Sequence, residues 1–176
     1  MNSLARTFFV GLVSLIPVAT SASEAERMAA LSKSDFVAEY EGYLLQMMEA
    51  QQVLFTRFDA DMAANVLDMG PITEAEHTSI ACLWDKMNEK GELEGLAQQA
   101  LIANKMTRLT VERPEVDIVD FFMNEEIMDE NVRDVSDGLL SSMQECGSMK
   151  ASEHRVKYSQ DLWVAFGAAA QERGYE

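Results

Sequence analysis

Apolar and polar positions follow a helical rhythm along most of the chain. From Ser34 onward, Phe36, Tyr40, Tyr43, Leu44, Met47, Leu54, Phe55 and Phe58 recur at three- and four-residue steps, which places them on one helix face. Glu39, Gln46, Glu49 and Arg57 fall between them. Ser34 is placed to cap this helix, and Asp35 favours its positive end. The pattern allows continuation through Asp61–Asp68, with Met69-Gly70-Pro71 as the stop.

Thr73-Glu74-Ala75-Glu76 reads as a capping box, in which hydroxyl and carboxylate satisfy each other's orphan amides. The helix it opens carries Ile80, Leu83, Trp84 and Met87, with Gly91 as its stop. A third stripe uses Leu93, Leu96, Ala97, Ala100 and Leu101, ending between Asn104 and Thr110. Arg113-Pro114 is a boundary, because a residue before proline avoids helical backbone. The run from Pro114 to Phe122 reads as a short helix. Met128, Val132, Val135, Leu139, Leu140, Met143 and Cys146 form the next stripe, with Gly147 as its stop and Gly138 as a weak point inside it. A last helix after Ser152 shows Val156, Ser159, Trp163, Phe166 and Ala170 on one face, before Gly174. The expected fold is therefore all-α: a single-domain bundle of five or six helices over residues 34–174.

Residues 1–22 have a different grammar. Arg6 is the only charge, an apolar run from Phe8 to Val18 follows, and Ala19, Thr20, Ser21 and Ala22 are small. That is the order of a secretory signal peptide, and the run is short of the roughly 20 residues that span a bilayer. Cleavage is expected after Ala22, leaving 23–33 as an exposed N-terminal segment. No later apolar run is long enough to span a membrane, so an exported chain, periplasmic or extracellular, is expected. Export changes the reading of Cys82 and Cys146, the two cysteines in the chain. In an oxidising compartment they are expected to pair, pinning a mid-helix position to a helix end. They lack the spacing of a redox dithiol or a zinc site.

Charge narrows the partners. Fourteen Lys and Arg stand against 30 Asp and Glu, a formal net charge of −16. Loss of residues 1–22 would remove one Arg and no acid, leaving −17 (13 basic, 30 acidic). Such a chain is repelled by phosphate backbones and by anionic lipid, which argues against nucleic acid as a partner. The apolar fraction of 48% excludes wholesale disorder.

Candidate chemistry is sparse. Glu74 and His77 have Glu-x-x-His spacing, but His154 follows Ala151 at that distance, so the second half of a di-metal motif is missing. No phosphate loop, dinucleotide fingerprint or Gly-x-Ser-x-Gly stands in the chain, so no catalytic residue, metal ligand or cofactor is assigned. The 11 methionines after residue 22 read as adaptable core filler, and Trp84 and Trp163 as core anchors.

The densest feature is residues 112–137, with ten acids opposed by Arg113 and Arg133. Glu115, Asp117, Asp120, Glu125, Glu126, Asp129, Glu130 and Asp134 form a candidate surface for a protein partner with a basic face. The plainer reading is a solvated helical face; the calcium-loop pattern is missing. The leading functional expectation is an exported, non-catalytic binding or accessory protein, with a small-ligand or cation binder and a small secreted hydrolase or lyase as alternatives.

Overall fold

The computed structural model of the chain describes residues 20–124, 127, 137–157 and 160–175. Residues 1–19 of the expected signal segment lie outside that set, as do Glu125, Glu126, Asp129, Glu130 and Asp134. Every regular element among the described residues is a helix, and there are nine rather than five or six. They are α1 (Thr20–Ala29), α2 (Lys33–Phe58), α3 (Ala60–Val66), α4 (Glu74–Lys90), α5 (Leu93–Glu112), α6 (Ile118–Met123), α7 (Asp137–Glu145), α8 (Ser148–Ser152) and α9 (Gln160–Glu172). One isolated antiparallel bridge joins Leu67 to Val156.

Two long helices organise the rest. α2 has 26 residues and α5 has 20, about 39 and 30 Å at 1.5 Å per residue. They form the most extensive helix pair in the fold. Each contributes to two apolar cores. The first gathers Leu54 and Phe55 of α2, Val66 of α3, Met106 of α5, Ile118, Val119 and Phe121 of α6, and Leu162 and Ala170 of α9. The second gathers Ala25 and Met28 of α1, Phe36 of α2, Leu83 and Met87 of α4, Leu96, Ala97 and Ala100 of α5, and Leu139 of α7.

The extra helices arise where a local cap overrides the long-range stripe. The α2 stripe does not run on past Phe58: Asp59 turns extended, and its carboxylate accepts the Met62 amide at 2.8 Å, starting α3. The true cap of α2 is Ser32, two residues before Ser34, accepting from Asp35. α5 extends to Glu112 because Arg57 reaches across from α2 to the carbonyls of Thr110, Arg113 and Val116 at its end. The Thr73–Glu76 capping box and the left-handed Gly91 bound α4 as the sequence implied. Gly147, at φ 66°, turns α7 directly into α8.

Two expectations are corrected. The segment 23–33 is not an exposed tail, since α1 packs on α5 with Ala25 and Met28 fully buried. Trp163 is not a core anchor: it is 58% exposed, and its neighbour Leu162 enters the core instead. The inward face of α9 carries Leu162, Phe166, Ala169 and Ala170, so Phe166 and Ala170 stand where the sequence placed them and Leu162 stands in for Trp163.

Candidate functional site

α4 has two working faces. Ile80, Leu83 and Met87 point into the bundle. Glu76, Ser79, Cys82, Lys86 and Lys90, spaced by three or four residues and so neighbours on the helix, all grip the segment that follows residue 136. The grips descend in antiparallel order. Glu76 holds Arg155, Ser79 Oγ lies 2.7 Å from Ser148 Oγ, and Cys82 is joined to Cys146. Lys86 pairs with Glu145 at 2.7 Å, and Lys90 donates to the Gly138 carbonyl and to the buried Ser142 hydroxyl. The disulfide expected from the sequence is thus the central rung of a polar ladder.

The top of this ladder borders an open cleft of about 740 Å³ between the start of α4 and α8. Thr78, Ser79, Cys146, Lys150 and His154 lie along it. Beneath it, the Arg155 guanidinium grips Glu76, with Nε at 2.6 Å from Oε1 and Nη2 at 2.5 Å from Oε2. Burial by itself would raise the Glu76 carboxyl. The Arg155 hydrogen bonds and the Thr73 amide outweigh it and hold Glu76 below the usual carboxylate range. A carboxylate so committed is a poor general base at neutral pH. His154 Nε2 stands 3.9 Å from Glu76 Oε2, beyond hydrogen-bond reach. The other histidine, His77, binds Glu41 of α2 through Nδ1 at 2.6 Å, beside a second shallow depression lined by Lys33 and Val37. Among the described residues no three His, Cys, Asp or Glu side chains converge on a point that could hold a metal ion.

The acidic segment divides. Asp117 is buried, with its carboxylate accepting the Val119 and Asp120 amides and Arg173 Nη2 at 2.6 Å. Asp120 accepts Arg173 Nη1 at 2.8 Å and the Tyr175 hydroxyl at 3.2 Å. These two acids are therefore not an open docking surface: they start α6 and clamp the end of α9 to it. Burial would raise Asp117, yet Arg173 and the helix-start amides hold it below its ordinary value. Glu115 stays at the surface, paired with Arg113 at 3.1 Å.

Arg173 is legible in the sequence as a cation at the negative end of the last helix, but its pairing with Asp117, 56 residues away, and that of Arg155 with Glu76, 79 residues away, are not. Nothing local to either arginine signals such a pairing. The only local trace is on the acid side, where Asp117-x-x-Asp120 has the spacing of a capping box. Comparison with protein-family models, curated proteins and solved structures finds no match for the chain.

Proposed function

We propose that this is an exported, non-catalytic binding or accessory protein that docks a protein partner through a basic surface on that partner. The observation that carries the reading is where the cations go. Arg155 and Arg173 grip buried or part-buried acids, and Arg57 and Lys90 are spent on backbone carbonyls. Arg27, Lys33, Lys86 and Arg113 each hold a neighbouring carboxylate. With 14 cations against 30 acids, this leaves an exterior dominated by carboxylates such as Glu74, Glu89, Glu94, Glu112, Glu153 and Asp161. That field attracts basic surfaces and repels nucleic acid and anionic lipid.

Affinity capture on the immobilised protein, from an extract of its native source, tests the reading. A basic protein released along a rising salt gradient is expected. Retention indifferent to salt, or capture of acidic and basic proteins alike, would remove the electrostatic docking claim. Export itself is checked by fractionation and N-terminal sequencing, with a mature start near Ser23 expected.

A small-ligand binder is the second reading, favoured by the open cleft between α4 and α8. Its size falls within the range of small-molecule sites. Thermal-shift screening of polar metabolites would support it through a stabilisation abolished by Lys150→Ala, and an unresponsive screen would remove it.

A further inference from the structure

The Cys82–Cys146 bond stands where a thiol in solution can meet it. Cys146 lies along the open cleft between α4 and α8, and both cysteines are partly exposed rather than sealed in either core. Their spacing is not that of a catalytic dithiol, so the pair is a substrate for thiol exchange and not a reagent for it.

What the bond holds is a slight element. α7 and α8 have nine and five residues, below the roughly 12–15 at which a helix is stable by itself in water. Among their described side chains Leu139 and Ser142 are buried, and α8 buries none. The Lys86–Glu145 rung leaves its side chains 40% and 52% exposed, and a surface pair of that kind adds little. Both flanks are fixed more firmly. Ile127 sits in the first core, and Arg155 grips Glu76 and the carbonyls of Asp68, Gly70 and Pro71. The hairpin has little apolar burial, has anchors on either side and is tied across a separation of 64 residues by one covalent bond. Such an element opens locally when the bond is cut, ahead of the rest of the fold.

We propose that this bond is a redox switch for the hairpin: a dithiol reductant reaches Cys146 through the cleft of the folded protein, and reduction frees α7 and α8 from α4. One thiolate of the reductant attacks Cys146 Sγ, the S–S bond breaks, and Cys82 leaves as a thiolate that takes up a proton. The reductant's second thiolate then attacks the reductant sulfur of the mixed disulfide and releases Cys146, which is protonated in turn. Two electrons pass from the dithiol to the protein. The reductant leaves as its own disulfide, and the two protons its thiols lose are matched by those gained on Cys82 and Cys146. Oxidised, the hairpin forms one wall of the cleft, and Leu139 joins Leu83 and Met87 in the second core. Reduced, that wall is free, and the face of α4 that carries Ser79, Cys82, Lys86 and Lys90 opens to water.

The test treats the folded protein with dithiothreitol, without denaturant, and follows mass, circular dichroism and hydrogen exchange. A gain of about 2 Da is expected, at a rate that urea well below the unfolding transition leaves unchanged. Exchange over α7 and α8 should quicken about tenfold or more, with α2 and α5 unchanged and the helical signal largely kept. Reoxidation should restore the protection. Brief treatment with reduced glutathione, quenched in acid and mapped by peptide mass, should place the adduct on Cys146. The double variant Cys82→Ser with Cys146→Ser should exchange like the reduced protein and ignore the reductant. If that variant does not fold, reversible reduction of the parent carries the test.

Reduction that proceeds only in denaturing urea would overturn the proposal, because the bond would then be sealed in the native state. So would a reduced protein whose hairpin keeps its protection, exchange that rises evenly over the chain, or glutathione found on Cys82 alone.

Discussion

Arg155 is buried, and all five of its N–H donors are engaged: two on Glu76, and the others on the carbonyls of Asp68, Gly70 and Pro71. A guanidinium offers five donors in a planar fork, where lysine offers three on a point charge. Arg155→Met leaves Glu76 buried without its counter-ion and should cost about 3–5 kcal/mol in urea unfolding. Arg155→Lys should recover only part of that loss. Full recovery would show that charge alone matters there. Glu76 and Asp117 also set an acid limit. Both are held below their ordinary values of 4.5 and 3.8. Their contribution is therefore complete above those values and is lost as pH falls through the lower folded ones. Stability should be nearly level from pH 5 upward with respect to these two groups and fall in more acidic solution. Asp117→Asn should flatten part of that fall, as read from unfolding midpoints against pH.

At the scale of elements, the α7–α8 hairpin is joined to α4 by the polar ladder, while Leu139 enters the second core and Met143 and Cys146 pack against it. Its central rung closes a separation of 64 residues between Cys82 and Cys146. Changing both cysteines to serine should cost about 2–4 kcal/mol. Hydrogen exchange should rise first over residues 137–157. A rise spread evenly over the chain would mean that the hairpin is held by packing instead. Gly147→Ala should cost about 1–2 kcal/mol, because a Cβ is disfavoured at φ 66°. Gly167 has a negative φ on an exposed turn of α9 and nothing within 4 Å of an added Cβ, so Gly167→Ala should be neutral or stabilising. These elements also show what a sequence can and cannot convey. The Thr73–Glu76 box, Gly91, Pro114 and Gly147 are local signals, and each falls at a helix boundary. The break at Asp59 was hidden, because apolar periodicity continues across it while one carboxylate redirects the backbone. On α9 the spacing marks Phe166 and Ala170 correctly, but Leu162 and Trp163 are adjacent, and only the packing decides that Leu162 is buried and Trp163 exposed. The clamp from Asp117 to Arg173 depends on tertiary placement, and local composition presents its acids as surface.

At the scale of the whole molecule, the acids that remain outside the internal pairs are the dominant feature of the exterior. Such charge favours solubility and fast encounter with a basic surface, and it works against compactness through self-repulsion. Rising salt should therefore act in two directions: raising the melting temperature of the isolated protein and weakening its association with the partner. A melting temperature that falls with sodium chloride would show that attractive surface pairs, such as Lys33–Asp85 and Lys86–Glu145, outweigh the repulsion. Electrostatic docking of a basic protein is read most directly from the dissociation constant of the captured partner against salt. Between about 50 and 500 mM sodium chloride, that constant should rise roughly tenfold or more. A constant unchanged over that range would contradict the acidic exterior as the basis of recognition.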